Sequence, residues 1–232
     1  MVSPGKCHIA IEEGRHLGDW WSSGGYFRPP PDRTAILVAL TDEQLEEMPR
    51  AKLFGMLSYW RDYLPDFAAR TRRLKALLSR DSAPWTSAHT SEFRAVVRDL
   101  MGAAPHLNFA PGEPVVLEVH TGPKGLAASF LQADPAGGRW LPVAAFSREL
   151  LPIEMEHSAA LLELITIQEA LKKLVQIAVY SSTLTIRVSP DVAALFKARL
   201  HVSPMILWRI CDIQSYGCTV VARLEADEKL AA

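Results

Sequence analysis

Hydrophobic and polar positions follow different patterns in successive parts of the chain. Residues 6–32 carry short alternating runs broken by Glu-Gly and Gly-Gly pairs, which is typical of short strands joined by hairpin turns. The three prolines at 29–31 end this part, because they remove three backbone donors and fix an extended path. A hairpin region of this size cannot bury a core alone, so we expect it to form the edge of a larger structure.

Helical periodicity begins near residue 41. Thr41 and Gln44 have the spacing of a capping box, and Pro49 can open a second helix. A third helix is predicted over residues 66–78, with a buried stripe that comprises Phe67, Thr71, Leu74 and Leu78.

The second half of the chain alternates between strands and helices. A helix is predicted over residues 92–101, before this alternating part, and Gly102 ends it. A long amphipathic helix is predicted over residues 156–178, because apolar side chains recur there at i, i+3, i+4 and i+7. The predicted strands lie near 115–119, 125–131, 140–146, 183–188 and 218–223. Three leading strands followed by alternating helices and strands predict an α+β or mixed α/β fold with a five-stranded sheet.

Composition narrows the class of protein. The 232 residues are 49% hydrophobic and 22% charged, as in an ordinary globular protein that buries a core. The formal net charge of −1 gives no global basic field of the kind that dedicated nucleic-acid binders carry. No apolar run reaches the length of a membrane span and no signal-peptide pattern is present, so we expect a cytoplasmic or nuclear protein that is not secreted and has no membrane partner.

Charge is distributed unevenly, and basic side chains outnumber acidic ones over residues 50–80. Those on the predicted third helix lie beside or opposite its buried stripe and comprise Arg70, Arg72, Arg73 and Lys75. A solvated helix face is the simpler interpretation. A surface that faces nucleic-acid phosphates is the functional one.

Sequence motifs of common catalytic sites are absent. The chain has no P-loop, no G-x-G-x-x-G turn and no G-x-S-x-G elbow. His201, Cys211 and Cys218 lack the spacing of zinc ligands, and both cysteines are interpreted as reduced thiols buried in a core. Glu154 is interpreted as a charge at the start of a helix, where a carboxylate complements the helix dipole.

A resemblance to a known family rests on motifs that follow one another in order. The segment LFGMLSYWRDYLPDFAARTRRLKALL, residues 53–78, resembles the thumb of retroviral and long-terminal-repeat retrotransposon reverse transcriptases. The family pattern there is a Leu-Gly pair, an aromatic pair, an arginine and Leu-Pro-x-Phe-Ala. It is matched by Phe54-Gly55, Tyr59-Trp60, Arg61 and Leu64-Pro65-Asp66-Phe67-Ala68.

Further matches extend the resemblance over almost the whole chain. KCHIAIEEGRHLGDWWSSGG, residues 6–25, resembles the end of the palm, where a Tyr-Leu-Gly hairpin forms the primer grip. FRAVVRDLMGAAPHLNFAPGEPVVLEV and RWLPVAAFSRELLPIE, which begin at residues 93 and 139, resemble the helix and strands that follow the thumb. LTIRVSPDVAALFKARLHVSPMILWRI, residues 184–210, resembles the connection domain of gammaretrovirus-type enzymes.

The resemblance implies an organisation in three parts: palm-end hairpins over residues 1–40, a helical thumb over 41–104 and an RNase H-like connection domain over 105–232. The fingers, the palm strand with the polymerase Asp-Asp pair and the downstream RNase H domain have no counterpart here. The resemblance therefore implies a non-catalytic module that has no metal and no cofactor.

The primer-grip region departs from the family pattern. Asp19 follows Leu17-Gly18 where the family usually places an aromatic residue or a histidine, and an acid there would repel a primer phosphate. We therefore expect either a fragment of a larger enzyme or, more in keeping with this departure, a host protein derived from an endogenous retrovirus.

The connection region of the family lacks the acids of a nuclease. An RNase H-type site needs several carboxylates that converge on two hard cations from the first strand, the first long helix and the end of the fourth strand. The corresponding residues are His120, Glu163 and Ser189. Only Glu163 is acidic, and helical periodicity places it off the buried stripe. His120 is therefore interpreted as a structural relic, and an active nuclease is the least favoured hypothesis.

The favoured hypothesis is a module that holds an RNA–DNA or DNA duplex through its backbone. The resemblance assigns the grip to Leu17-Gly18 and the phosphate contacts to Arg61, Arg70, Arg72, Arg73 and Lys75. Such binding would weaken with salt and would not depend on base sequence.

The second hypothesis is a protein-interaction module. Trp20, Trp21 and Tyr26 would be exposed without the rest of the palm, and clustered exposed aromatic residues favour partner binding. The alternative is that the hairpin folds back on the connection domain and buries them.

Overall fold

The structure is a computed structural model that describes residues 12–16, 19–64, 66–79, 83–197 and 202–223. Within these ranges the chain forms a four-stranded sheet, a helical layer and a five-stranded sheet. No helix in the described ranges is long and apolar enough to cross a membrane. Leu17 and Gly18, the predicted primer-grip pair, lie outside the described residues.

The four-stranded sheet joins the start of the chain to its middle. Its strands are β1 (Glu13–His16), β2 (Asp19–Ser22), β3 (Tyr26–Arg28) and β4 (His106–Leu107). They lie in the order β1-β2-β3-β4, and all neighbouring strands are antiparallel. Gly25 supplies the positive φ of 77° that the turn between β2 and β3 requires. Because β4 comes from beyond the helical layer, the N-terminal hairpins are fixed to the rest of the chain.

Six helices follow β3 and precede β4 in the chain, and they form a helical layer. They are α1 (Pro31–Ala39), α2 (Asp42–Glu47), α3 (Arg50–Ser58), α4 (Phe67–Arg70), α5 (Arg72–Ala76) and α6 (Ser87–Met101). The predicted capping box is confirmed, since the Thr41 side chain accepts from the Gln44 amide and the Gln44 side chain accepts from the Thr41 amide. Pro49 precedes α3, as expected.

The third predicted helix is wrong as a single element, because it divides at Thr71. The Thr71 hydroxyl donates to the Phe67 carbonyl at 2.8 Å, alongside the Thr71 amide at 3.0 Å, and such side-chain back-bonding often bends helices. Phe67, Thr71 and Leu74 are buried as predicted, whereas Leu78 is exposed. Leu77 is buried instead, because the break changes which side chains face inward.

The strands of the five-stranded sheet are β5 (Val115–Gly122), β6 (Gly125–Ala133), β7 (Trp140–Glu149), β8 (Leu184–Val188) and β9 (Thr219–Ala222). They lie in the order β7-β6-β5-β8-β9. Neighbouring strands are antiparallel from β7 to β5 and parallel from β5 to β9. The predicted mixed α/β class and five-stranded sheet are confirmed, and every predicted strand is present.

Four helices accompany this sheet: α7 (Ala159–Lys173), α8 (Val175–Tyr180), α9 (Pro190–Lys197) and α10 (Pro204–Gln214). The single helix predicted over 156–178 is wrong at both ends. A 3₁₀ turn occupies Pro152–Glu156, and Leu174 leaves the helical region with φ −117° and ψ 37°. α7 nevertheless buries ten of its fifteen residues against the sheet and its neighbours.

Both faces of β6 are covered. Leu126, Ala128 and Phe130 belong to the core that includes α7. On the other face, α4 lies so close that a Cβ on Gly125 would be 3.4 Å from the Ala69 Cβ and 2.8 Å from the Arg148 carbonyl. The helical layer is thus packed directly on the sheet, and Gly125 permits the close approach.

The N-terminal hairpins fold back on the rest of the molecule. The Tyr26 hydroxyl donates to Asp134 Oδ1 at 2.5 Å, and Asp134 also accepts from Arg139. Trp20, Trp21 and Tyr26 are all half-buried. These aromatic side chains are therefore less exposed than expected, because β3 pairs with β4 and the Tyr26 hydroxyl is bound to Asp134.

A buried ion network fixes the turn after β7. Arg148 donates to both carboxylate oxygens of Glu154, at 2.6 and 2.7 Å, and to both of Glu169, at 2.6 and 2.7 Å. These hydrogen bonds from Arg148 hold the pKa of Glu154 below its usual range. Glu154 lies in the first turn of the 3₁₀ helix, as expected, but it is buried and bound to Arg148, six residues away on the strand.

We expect Arg148→Met to lower the free energy of unfolding by about 2–4 kcal/mol, because it leaves two carboxylates without their shared cation. Lys75→Met is the matched control, since it breaks an exposed pair with Glu149 that is worth less than about 1 kcal/mol. Urea denaturation of both variants measures the difference. Equal losses would show that the buried network has no special role.

Candidate functional site

Glu163 and Ser189 meet where α7 crosses the ends of β5 and β8. Glu163 is 6% exposed. Its Oε1 accepts from the Ser189 amide at 2.7 Å, and its Oε2 accepts from the Ser189 hydroxyl at 2.6 Å. The expectation that Glu163 lies off the buried surface is wrong, because the start of α9 covers it. The sequence did not reveal this contact, since the two residues are 26 positions apart.

His120 does not join this pair. Side chains alternate along a strand, and Leu117 and Val119 of β5 belong to the core that includes α7. His120 therefore faces the opposite side of the sheet from Glu163. Of the three positions that correspond to nuclease ligands, only Glu163 and Ser189 lie together.

Arg223 also lies beside Glu163, and the sequence analysis did not identify it. Its guanidinium donates to the Val119 carbonyl, and its Nη2 lies 4.0 Å from Glu163 Oε1. No group of three or more histidine, cysteine or acidic side chains within the described ranges could hold a metal ion. One carboxylate beside an arginine does not fit the two hard cations of an RNase H-type nuclease.

The cysteines give no alternative centre. Cys211 is exposed and Cys218 is half-buried, so the interpretation of both as buried thiols is wrong for Cys211, which lies on the outer face of α10. Burial raises the pKa of the Cys218 thiol. His201 lies outside the described residues.

Two of the predicted phosphate-binding cations form ion pairs within the molecule. Arg70 binds Asp99 of α6, and Lys75 Nζ lies 2.8 Å from Glu149 Oε1 of β7. Both acids come from outside the basic segment of residues 50–80. The helical layer is therefore less positive than the local sequence indicates.

The other three predicted cations lie on the surface. Arg61 is exposed, and its Nε lies 3.6 Å from Asp62 Oδ1. Arg72 and Arg73 on α5 are exposed, and neither forms an ion pair within 4 Å of a residue that the structure describes. These two arginines are the best placed of the predicted set to meet an external phosphate.

A further surface on α3 was not predicted. Lys52, Gly55 and Tyr59 are exposed and share one face, with the spacing of successive helical turns. A Cβ placed on Gly55 would have no atom within 4 Å. We call these three residues the α3 face. A signal was available in the sequence, because glycine inside a helix costs about 1 kcal/mol relative to alanine and requires a reason.

A groove of about 510 Å³ lies beside this surface, between α1 and α3. Arg33, Ile36 and Met56 line it together with the α3 face. Trp60 closes it, is 6% exposed, and its Nε1 has no hydrogen-bond partner in the described part of the chain. The groove thus combines an apolar wall with cations at its rim.

A second cavity, of about 620 Å³, lies where the two sheets and the helical layer meet. His106 of β4 and Tyr63 stack in it, with ring centroids 4.6 Å apart. Burial lowers the pKa of His106 to about 4 and raises the pKa of Tyr63. Both rings are therefore neutral at pH 7 and form an aromatic joint, in which the Tyr63 hydroxyl also hydrogen-bonds to Asp19.

The strand order and the position of α7 define the class of fold. Three antiparallel strands followed by two parallel strands, with a long helix across the sheet, form an RNase H-like domain. A helical layer and a small antiparallel sheet precede it. Residues 85–186 match the family model described as the RNase H-like domain found in reverse transcriptase. No curated protein matches the chain.

Solved structures of foamy viral protease-reverse transcriptase share the fold. In its complex with dsDNA, the TM-score is 0.73 at 20% identity, covering 93% of this chain and 45% of that one. For the complex with an RNA/DNA hybrid, the TM-score is 0.71 at 18% identity, and the match covers 95% of this chain and 30% of the foamy viral chain. For the dRH form in complex with ds DNA, the TM-score is 0.69 at 19% identity, and the match covers 91% of this chain and 38% of the foamy viral chain.

These comparisons confirm the predicted resemblance to a retroviral reverse-transcriptase region of the RNase H-like or connection type. The chain spans less than half the length of each of these foamy viral chains. Three points stay predictions: the domain boundaries at residues 40 and 104, the resemblance to gammaretrovirus-type enzymes in particular, and the origin as a host protein.

Proposed function

We propose that this chain is a non-catalytic module that holds a nucleic-acid duplex through its sugar-phosphate backbone. The observation that carries the proposal is the α3 face, where an open glycine lies between a lysine and an exposed tyrosine. The related foamy viral structures contain dsDNA or an RNA/DNA hybrid, which supports a duplex as the partner.

Gly55 indicates an external partner that approaches closely. Nothing inside the described chain occupies the space beside it, so internal packing does not explain a glycine in the middle of α3. A glycine at such a position permits close approach of a ligand backbone. Lys52 and Tyr59, one turn away on either side, supply a cation and an aromatic ring for that ligand.

Arg72 and Arg73 supply the second contact surface. An arginine without an internal ion pair is free to bind phosphate through its N–H donors. Arg70 and Lys75 are less suited to this role, because a phosphate would have to displace Asp99 or Glu149. A net charge of −1 is compatible with duplex binding when the positive groups are confined to such local surfaces.

The non-catalytic assignment rests on Glu163. Its carboxylate already accepts two hydrogen bonds from Ser189, and the neighbouring positive charge is Arg223. A protein-binding role through Trp20, Trp21 and Tyr26 is secondary, because Tyr26 already bonds to Asp134 and the tryptophans are half-buried.

The chain should bind a labelled RNA–DNA hybrid with an affinity that falls as salt rises, measured by fluorescence anisotropy. Arg72→Ala/Arg73→Ala should reduce the slope of log K against log salt by about 2, because two phosphate contacts are lost. Arg70→Ala should have a smaller effect. Lys124→Ala, which removes an exposed charge from the β5–β6 turn, is the control. Absence of binding at low salt would refute the proposal.

Substitution of Gly55 should separate stability from binding. Gly55→Ala should raise the free energy of unfolding by about 0.5–1 kcal/mol, because alanine favours the helix and meets no neighbour. Gly55→Gln should weaken hybrid binding by about 10-fold or more, which corresponds to about 1.4 kcal/mol. Ala194→Gln, at an exposed position of α9, is the matched control. Unchanged affinity in Gly55→Gln would exclude the α3 face.

The chain should leave the hybrid intact in the presence of Mg²⁺ or Mn²⁺, as followed on denaturing gels, because only one carboxylate is present at the nuclease position. A divalent-metal-dependent cleavage that Glu163→Ala abolishes would contradict the non-catalytic assignment while leaving duplex binding untouched.

A further inference from the structure

A cation of the chain itself lies beside Glu163, the one acidic residue among the three that correspond to nuclease ligands. Arg223 follows β9, and its backbone N–H donates to the Val188 carbonyl at 2.7 Å. Its side chain donates to the Val119 carbonyl and lies 4.0 Å from Glu163. One residue therefore connects the end of β9 to β5, β8 and α7.

Glu163 needs a positive charge nearby. A carboxylate removed from water is costly to keep ionised unless it is hydrogen-bonded and paired. Ser189 supplies the hydrogen bonds but no charge. Arg187, on the adjacent strand, is engaged with Glu118 at 2.8 Å. Within the described ranges, Arg223 is the cation that comes within 4 Å of Glu163.

The donor set favours a guanidinium over a divalent metal. Magnesium and manganese require several oxygen ligands in fixed geometry, usually with more than one carboxylate. Here both oxygens of Glu163 already accept hydrogen bonds, and the other acceptor is the backbone carbonyl of Val119. A planar guanidinium spreads its charge over several N–H donors and is weakly hydrated, so it fits a site with dispersed acceptors.

We propose that the Glu163–Val119 position is a cation-binding site whose resident cation is the Arg223 side chain, and that it accepts a free guanidinium-type cation, not a divalent metal, once that side chain is removed. Glu163 then holds an internal cation that fastens β9 to the sheet. The proposal goes beyond duplex binding and is independent of it.

Thermal unfolding of the full chain tests the site. Arg223→Ala should lower Tm by about 3–6 °C, because Glu163 loses its nearby charge. Ethylguanidinium at about 20 mM, far below denaturing concentrations, should recover at least half of that loss and leave the unsubstituted chain unchanged. Sodium chloride at equal concentration controls for ionic strength. Hybrid affinity of Arg223→Ala, measured well below its Tm, should equal that of the unsubstituted chain.

A second variant identifies the acceptor. In Glu163→Gln/Arg223→Ala the carboxylate is gone, so ethylguanidinium should have no effect on Tm. Arg98→Ala, which removes an exposed arginine that forms no ion pair within the described ranges, should show neither the loss nor the recovery. If Arg223→Ala does not fold, Arg223→Lys can replace it, because lysine keeps the charge but lacks the planar set of N–H donors. This variant should show a smaller loss in Tm, which ethylguanidinium should partly recover.

Three outcomes would overturn the proposal. The Tm of Arg223→Ala could equal that of the unsubstituted chain, which would mean that the ion pair contributes nothing. Recovery could persist in the double variant, which would place the added cation elsewhere. Recovery by Mn²⁺ but not by ethylguanidinium would identify a metal site instead.

Discussion

Both faces of the five-stranded sheet pack against other parts of the chain. The core that includes α7 lies on one face, and α4 packs against β6 and β7 on the other, so the helical layer belongs to the packing of the sheet. Gly125 allows that second contact because any side chain there would collide with the neighbouring strand. The attachment of the N-terminal hairpins through β4, and the aromatic joint at His106, follow from this arrangement.

Many charged groups in the described ranges form ion pairs with one another. Arg148, Arg70 and Lys75 all bind acids within the chain, and these pairs connect elements that are distant in sequence. The cations without an ion pair in the described ranges include Lys52 on α3 and Arg72 and Arg73 on α5. A net charge near zero is therefore compatible with local surfaces of positive charge.

The elements of the fold were largely predictable from the sequence, because strand alternation and capping chemistry depend on near neighbours. The Thr41–Gln44 box and the strand at 125–131 are examples. The candidate site was less predictable. Arg70 is paired by Asp99, 29 residues away, and no local pattern reveals such pairs. Glu163 was misjudged for the same reason, since periodicity describes only its own helix and not the segment that covers it.

Among the described residues, no strand pairs with the outer side of β7, so its ten residues present a long row of backbone groups at the edge of the sheet. An edge of that length can pair with another chain. Pro142 lacks a donor, and the β6–β7 register shifts near it, so regular pairing is interrupted there. α4 and β4 also pack against β7. The helical layer therefore helps to keep the RNase H-like domain from self-association, and a shortened chain that lacked it would expose a surface prone to aggregation.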